Sequence, residues 1–402
     1  MSAAFDTVII GAGNAGVSLA ARLRNDGRHN IALVDPNPVH RYRPMLNYAA
    51  AGTARMDRYE RSMAQVVPDG VQLLPHAATK IDPAGRTVTL GSRTAADSGP
   101  TLSYDNLVLC PGLTPRWDAI PGLDEAYVNG WAMSAHVPEY AGRACAALVR
   151  VREGTVVFAV PPEPASCGGT VLKALFQACD HWQREGVLDR IDVHLATPFS
   201  GILGLEPTDA RLRPYITRYG ITVHEQTHVS AVDHHARTVR LDGSDTAQLS
   251  TREISNVNLA YVTPLSRAPQ FVAESGLGDG GDAGLIEVDP VTLRHTRAES
   301  VWGLGDAATV DTRPSGGALR PQVAVVADDL RTGGPATPYD GYTIIPIAVS
   351  RDRLMLAEHD RDGRPAPSVR GIDLTRPRRI THLFDRYVQP VIYFRKLLRG
   401  RV

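Results

Sequence analysis

The sequence predicts an α/β protein with two Rossmann-like units and a C-terminal region of strands and an amphipathic helix. Three observations lead there. An apolar strand, a glycine turn and an apolar helix run through Thr7-Val8-Ile9-Ile10-Gly11-Ala12-Gly13-Asn14-Ala15-Gly16-Val17-Ser18-Leu19-Ala20. A second strand–helix–strand run extends from Thr155 to Leu195, without such a turn. A late apolar strand ends in Gly303-Leu304-Gly305-Asp306.

The glycine turn carries the most chemistry. Gly11 permits the tight turn, Gly13 lets the backbone approach a pyrophosphate, and Gly16 lets the helix pack closely on the strand. The helix start offers free N–H groups and partial positive charge to phosphate. The next strand, Ile31-Ala32-Leu33-Val34, ends in Asp35, placed to accept hydrogen bonds from a ribose. Together these predict dinucleotide binding.

Length and composition bound the alternatives. A chain of 402 residues exceeds one ordinary core, so two or three domains are expected. The 43 Lys and Arg balance 43 Asp and Glu, which gives no electrostatic basis for nucleic-acid binding. No apolar run approaches the roughly 18 residues of a membrane span. The chain enters its first strand almost at once, which leaves no room for a signal peptide and predicts a cytoplasmic protein. Cys110, Cys145, Cys167 and Cys179 include no CxxC pair and are too scattered for a disulfide scaffold.

Along the chain, His40 to Asn47 mixes rings with cations and is expected as an irregular loop lying along a cofactor or on the surface. Val71 to Leu90 reads as two strands around a turn at Asp82-Pro83-Ala84-Gly85, and Ser92 to Pro100 as a polar loop. Tyr104 to Pro115 is a buried strand running into the turn Cys110-Pro111-Gly112.

The second unit begins at Thr155 to Val160, and its helix spans about Thr170 to Arg184. A pyridine-nucleotide domain would place a glycine loop directly after Val160. Pro161-Pro162-Glu163 stand there instead. Prolines lack the N–H donors a phosphate loop needs, and a glutamate repels pyrophosphate. The unit is therefore expected to be NAD-like in shape without binding NAD. The Gly/Asp-rich stretch from Gly276 to Gly284 fits no calcium-ligand spacing and is expected as a plain loop.

Asp306 follows a strand, as would an acid that accepts hydrogen bonds from the ribityl chain of a flavin. The helix expected from Pro321 to Leu330 would aim its positive end at the flavin ring. Tyr339 to Val349 and Leu354 to Glu358 read as a strand pair. The last segment spaces Ile380, Leu383, Phe384, Tyr387, Val388, Val391, Phe394 and Leu398 as one helical face. Arginines flank it, Asp385 is its lone acid, and a kink is expected near Pro390. Such a basic amphipathic helix suits an anionic membrane surface. A helix docked on its own protein or on a partner chain is the alternative.

These segments, in this order, resemble the two-dinucleotide-domain flavoproteins of the pyridine nucleotide-disulfide oxidoreductase superfamily. Within it the chain is most similar to sulfide:quinone oxidoreductases of the mitochondrial-like type. Tyr339-Asp340-Gly341-Tyr342-Thr343 with Pro346, and the terminal helix, are the more specific parts of the likeness. The resemblance implies an FAD domain at 1–117 and 299–334, split by an inserted NAD-like domain at 118–298, with 335–402 as the C-terminal region. It implies FAD contacts at Gly11, Gly13, Asn14, Ala15, Gly16, Asp35, Arg43, Ala78, Gly112, Gly305, Asp306 and Arg320. It implies catalytic roles for Cys167 and for Lys173 on the helix behind it, and no metal.

The implied activity is electron transfer from a small-molecule donor through FAD to a membrane quinone, by a protein peripheral to the membrane. In the resembled family a cysteine at the Cys167 position forms a redox bridge with a second cysteine after the Tyr-Asp-Gly-Tyr-Thr segment. Ile345 stands at that second position here. Arg320 replaces the family's lysine before the flavin-facing helix, which keeps the charge and changes the shape. Cys167 is left open between a lowered-pKa thiolate at a helix start and an inert small residue. Cys179 lies about 18 Å along a continuous helix from it, too far to substitute for the missing partner, while Cys110 stays open as one. An NAD(P)H:quinone oxidoreductase of the type II kind, a non-catalytic flavin-binding membrane protein, and a homo-oligomer are also left open.

Overall fold

The computed structural model describes residues 3–50, 52–91, 99–243, 250–334, 337–369 and 371–401. The polar loop expected at 92–98 and the start of the third region at 335–336 lie outside them.

The first sheet has seven strands. In space they run Val71–Leu74, Ile31–Val34, Ala3–Ile10, Thr101–Leu109, Thr87–Gly91, Ala77–Asp82, with Val301–Gly303 also paired to Thr101–Leu109. Five strands are parallel, and the hairpin Ala77–Asp82/Thr87–Gly91 extends them antiparallel. Val8, Ile9, Leu107, Val108 and Leu109 are all fully buried. Helices covering both faces of a parallel sheet require such continuous apolar runs. The register aligns the strand ends: Ile10 lies beside both Val34 and Leu109, and Leu109 beside Gly303. The glycine turn, Asp35, Cys110 and Leu304 therefore all leave the sheet from one edge. That carboxyl edge is where open α/β sheets bind ligands.

A second sheet orders Ala132–Met133, Val257–Tyr261, Gly154–Ala159, Ile191–Ala196 and Thr222–His224, all parallel. The central helix Val171–Arg184 packs on it through Leu172, Leu175, Phe176 and Trp182. Both parallel sheets with their helices establish the Rossmann-like α/β class.

The hairpin Thr343–Ala348/Leu354–His359 joins the two cores. Ile345, Ile347, Met355 and Ala357 enter the second core, whereas Ala348, Leu354 and Leu356 enter the first. Alternate strand residues point to opposite faces, so one apolar hairpin fills both.

Two regions differ from expectation. His40 to Asn47 is not an irregular loop. It forms part of the strand Val39–Arg41, a helical turn Arg43–Met45 and the helix Leu46–Ala50. Pro44 presets the dihedral of that turn, and His40, Tyr42 and Tyr48 are buried. In the last segment, helices Arg379–Leu383 and Gln389–Arg395 flank a π-type turn at Phe384–Val388, immediately before Pro390. Its apolar set divides. Tyr393 and Leu398 are buried on the protein, while Ile380, Leu383, Phe384, Tyr387, Val388 and Val391 are exposed. Asp385, expected on a charged surface, is buried. Among the described residues no helix is long and apolar enough to cross a membrane.

A Cβ at Gly16 would collide with the Gly11 carbonyl oxygen, which is backbone and cannot rotate away. Gly16→Ala is therefore expected to destabilise the protein by about 1–3 kcal/mol, read as a lowered urea midpoint.

Candidate active site

Backbone geometry dictates the glycine turn. Gly11 has φ +103°, and a Cβ there would strike the Cys110 carbonyl. Gly13 differs: no atom lies within 4 Å of where its Cβ would be. The turn is thus closed at Gly11 and Gly16 and open at Gly13, as a phosphate cradle needs. No side chain caps the helix Asn14–Asn25, which leaves its first N–H groups free for an anion. Ala15 is buried within its first turn. Asp35 braces the turn. One carboxylate oxygen accepts the Ala12 N–H at 2.7 Å, and the other accepts the Asn37 backbone and side-chain N–H groups, each at 2.8 Å.

Three further segments meet this edge. Asn14 donates its amide to the Gly316 carbonyl at 3.3 Å, tying the turn to the loop before helix Leu319–Thr332. The Gly305 N–H donates to Gln322 Oε1 at 2.9 Å, and Asp306 Oδ2 accepts the Ser166 hydroxyl at 2.5 Å. The loop after Val160, which lacks phosphate donors, therefore reaches across to the first sheet. Gly112 turns the chain out of strand Thr101–Leu109 at φ +71°. Ala78 lies in the edge strand, opposite Leu90.

Cys167 sits in this cluster in the left-handed region, φ +54°, and donates its N–H to the Pro314 carbonyl at 3.1 Å. Its carbonyl accepts the Thr170 hydroxyl at 2.8 Å and the His136 Nε2–H at 3.3 Å. Arg43 donates to the His136 carbonyl at 3.3 Å, and the Ser134 hydroxyl lies 3.2 Å from His136 Nδ1. Burial pushes His136 down to about 4, so it is neutral, and its partners place the proton on Nε2. His136 carries no local sequence pattern. Only the fold brings it to Cys167.

The lowered-pKa possibility for Cys167 is corrected by the structure. Burial, then the Asp306 carboxylate, push the thiol up to about 11, against the Gly316 N–H and the Arg43 and Lys173 charges. Cys110 lies inside the first core beside the glycine turn. Its buried thiol is raised by desolvation and donates to the Gly11 carbonyl at 3.4 Å. Cys110, Cys167 and Cys179 are free thiols. Ile345 stands against the Cys167 loop, its Cγ2 3.0 Å from where a Cβ on Gly169 would lie.

Lys173 is spoken for. Its Nζ donates to Asp385 Oδ2 at 3.2 Å and lies 5.0 Å from the centre of the Tyr48 ring, with its side chain 1% exposed. The same carboxylate oxygen accepts the Tyr48 hydroxyl at 2.6 Å. Lys173 is thereby paired inside the protein, and its Nζ points at Asp385. Arg320 stands apart from the cluster. It is exposed and lines a surface groove with Arg22, Asp340 and Tyr342.

Residues 5–143 match the family described as pyridine nucleotide-disulphide oxidoreductase. The mitochondrial sulfide:quinone oxidoreductase of Mus musculus is 25% identical, over 98% of this chain and 87% of its own length. That of Schizosaccharomyces pombe is 26% identical, over 98% and 90%. The crystal structure of the sulfide:quinone oxidoreductase from Aquifex aeolicus covers 100% of this chain and 92% of its own, at 18% identity and a TM-score of 0.79.

Removing the Lys173 charge strands a buried carboxylate. Lys173→Met is expected to cost about 3–5 kcal/mol in urea denaturation, most of it recovered in the double variant with Asp385→Leu. The raised Cys167 thiol should alkylate slowly with iodoacetamide at pH 8 and speed up as pH rises towards 11, followed by peptide mass spectrometry. Fast labelling at pH 7 would contradict that environment.

Proposed function

We propose that this chain is an FAD-dependent oxidoreductase related to the sulfide:quinone oxidoreductases, which passes electrons from a small-molecule donor to a membrane quinone. One observation carries this: the glycine turn, Asp35, Asp306 and the Cys167 loop converge on the carboxyl edge of one parallel sheet. FAD fits that edge. Gly13 to Gly16 and the uncapped helix start would hold its pyrophosphate, Asp35 a ribose, and Asp306 the ribityl chain. The N-terminal end of helix Leu319–Thr332 would stabilise negative charge on the ring. When bound, FAD supplies a two-electron carrier; the chain supplies position, exclusion of water and control of protons.

The donor side is the Cys167 loop. Neutral His136 offers an N–H there, Arg43 a positive charge, and Ile345 an apolar wall where the resembled family has a second cysteine. A covalent sulfur relay through a bridge needs two thiols, so the donor here is a reduced sulfur species or another small reductant that uses Cys167 alone or bypasses it. The absence of a phosphate loop after Val160 weighs against NAD(P)H.

The acceptor side is the exposed face of Ile380, Leu383, Phe384, Tyr387, Val388 and Val391. Arg378, Arg379 and Arg395 lie beside it. Such a surface suits peripheral docking on anionic lipid, with access to a quinone.

Gly13→Ala has room for its methyl, so it is expected to keep the wild-type melting temperature while retaining much less flavin, measured by absorbance at the flavin band. Full retention would remove the phosphate cradle from this site. Anaerobic stopped-flow mixing with sulfide, thiols, NADH and NADPH should bleach the flavin fastest with a sulfur donor; fastest bleaching by NADH would overturn the donor assignment. Replacing Leu383 and Val391 together by Asp should release the protein from anionic liposomes in a sedimentation assay, while leaving the Lys173–Asp385 pair intact.

A further inference from the structure

Between the Cys167 loop and the C-terminal helix runs a file of buried polar side chains in otherwise apolar surroundings. It starts at half-buried His136, whose Nε2 lies 3.2 Å from the Thr170 hydroxyl. The Asn47 amide donates to the same hydroxyl at 3.4 Å. One residue along from Asn47, the Tyr48 hydroxyl meets Asp385; one turn along from Thr170, so does Lys173. Tyr48 also faces His382 edge-on, ring centres 5.7 Å apart. The helices Leu46–Ala50 and Val171–Arg184 thus present matched polar pairs at two successive levels.

The file is not closed by protein alone. Asn47 Oδ1 and His382 Nδ1 are buried without a protein partner. Gln177, one turn beyond Lys173 on the same helix face, has neither of its amide atoms paired. Asn47, Gln177 and His382 are 6%, 5% and 7% exposed. Buried polar atoms of this kind are satisfied by ordered water, because leaving them bare costs about 1–3 kcal/mol each. An apolar side chain would be the cheaper filling for a purely structural contact.

We propose that this file is a proton path, with water in its gaps, joining the donor end at Cys167–His136 to the acceptor end at Asp385–His382. It rests on the quinone-reductase function proposed above. A donor that gives up two electrons also releases its protons at the Cys167 end. A quinone that takes two electrons takes two protons to become quinol. Electrons cross by way of the cofactor, but protons need side chains and water. His136 and Thr170 receive and pass the proton at one end. Asp385, in contact with both Lys173 and the Tyr48 hydroxyl, lies at the end of the path beside the exposed apolar helix where the acceptor docks.

The test uses the flavin-loaded enzyme and two variants that leave the Lys173–Asp385 pair in place, Tyr48→Phe and Asn47→Leu. A crystal structure of the wild type should show ordered water on Asn47 Oδ1 and His382 Nδ1. Enzyme pre-reduced with dithionite is then mixed with a short-chain quinone in H2O and in D2O. Both variants should reoxidise about tenfold slower or more, with a larger solvent isotope effect than wild type. Their flavin midpoint potentials should stay near wild type, so the slower step is not a change of driving force; a merely structural role would leave the isotope effect unmoved. A dry file, or variants that reoxidise at the wild-type rate with the wild-type isotope effect, overturns the path alone. A wild-type enzyme that never reduces quinone overturns the acceptor assignment and the path with it.

Discussion

The buried ion pair between Lys173 and Asp385 is the contact on which the arrangement of the site depends. It links residues 212 positions apart in sequence. Its lysine sits in the first turn of the helix that follows Cys167, and its aspartate sits in the π-type turn of the terminal helix. Taking two charges from water costs several kcal/mol per ion, so the pair by itself is a poor source of stability. What it fixes is register. The Tyr48 hydroxyl and ring complete the aspartate and the ammonium, and no other described carboxylate pairs with Lys173. With the Tyr393 hydroxyl bonded to His40 at 2.6 Å, the pair holds the terminal helix in the rotation that turns Tyr393 and Leu398 inward and leaves Ile380, Leu383, Tyr387 and Val391 outward. The exposed apolar face is the other side of these internal polar contacts.

A second constraint comes from sheet register. Because Ile10, Val34, Leu109 and Gly303 lie side by side, four chain segments separated by up to hundreds of residues exit at one edge. The hairpin Thr343–Ala348/Leu354–His359 then locks the second sheet against the first by filling both cores with alternate residues. The Cys167 loop is carried across to Asp306 by this packing. The cluster is therefore assembled by rigid elements, which hold geometry better than loops alone.

Much of this was legible in the sequence where local physics decides. The glycine turn, its flanking strands and the acid after the second strand are short-range patterns, and they form as expected. So do the helix after Cys167, the strand before Asp306 and the C-terminal strand pair. What was not legible depends on partners distant in sequence. His136 and Asp385 look like ordinary surface residues until the fold buries them. Lys173 reads as a reactive amine beside a cysteine until its carboxylate partner is known. His40 to Asn47 reads as a loop because rings and cations break the apolar period, yet tertiary burial of His40, Tyr42 and Tyr48 makes it ordered. Arg320 occupies the expected place in the chain, but its helix turns the side chain out to the groove beside Arg22.

The environment of Cys167 bears most directly on the chemistry. From sequence a helix start suggests activation, and in the structure the Gly316 N–H and the Arg43 charge also favour thiolate. Burial and the Asp306 carboxylate oppose them and win, holding the thiol up to about 11. Ile345 packs with its methyl groups against Gly169, two residues on from the thiol. A protonated thiol is a poor resting nucleophile at neutral pH. Any role for Cys167 then requires that the incoming donor remove its proton or that a bound cofactor change its field. Neutral His136 touches the loop at the Cys167 carbonyl: its Nδ1 accepts from Ser134 while its Nε2–H points at that carbonyl. The loop as built steadies the backbone around the thiol more than it activates the sulfur.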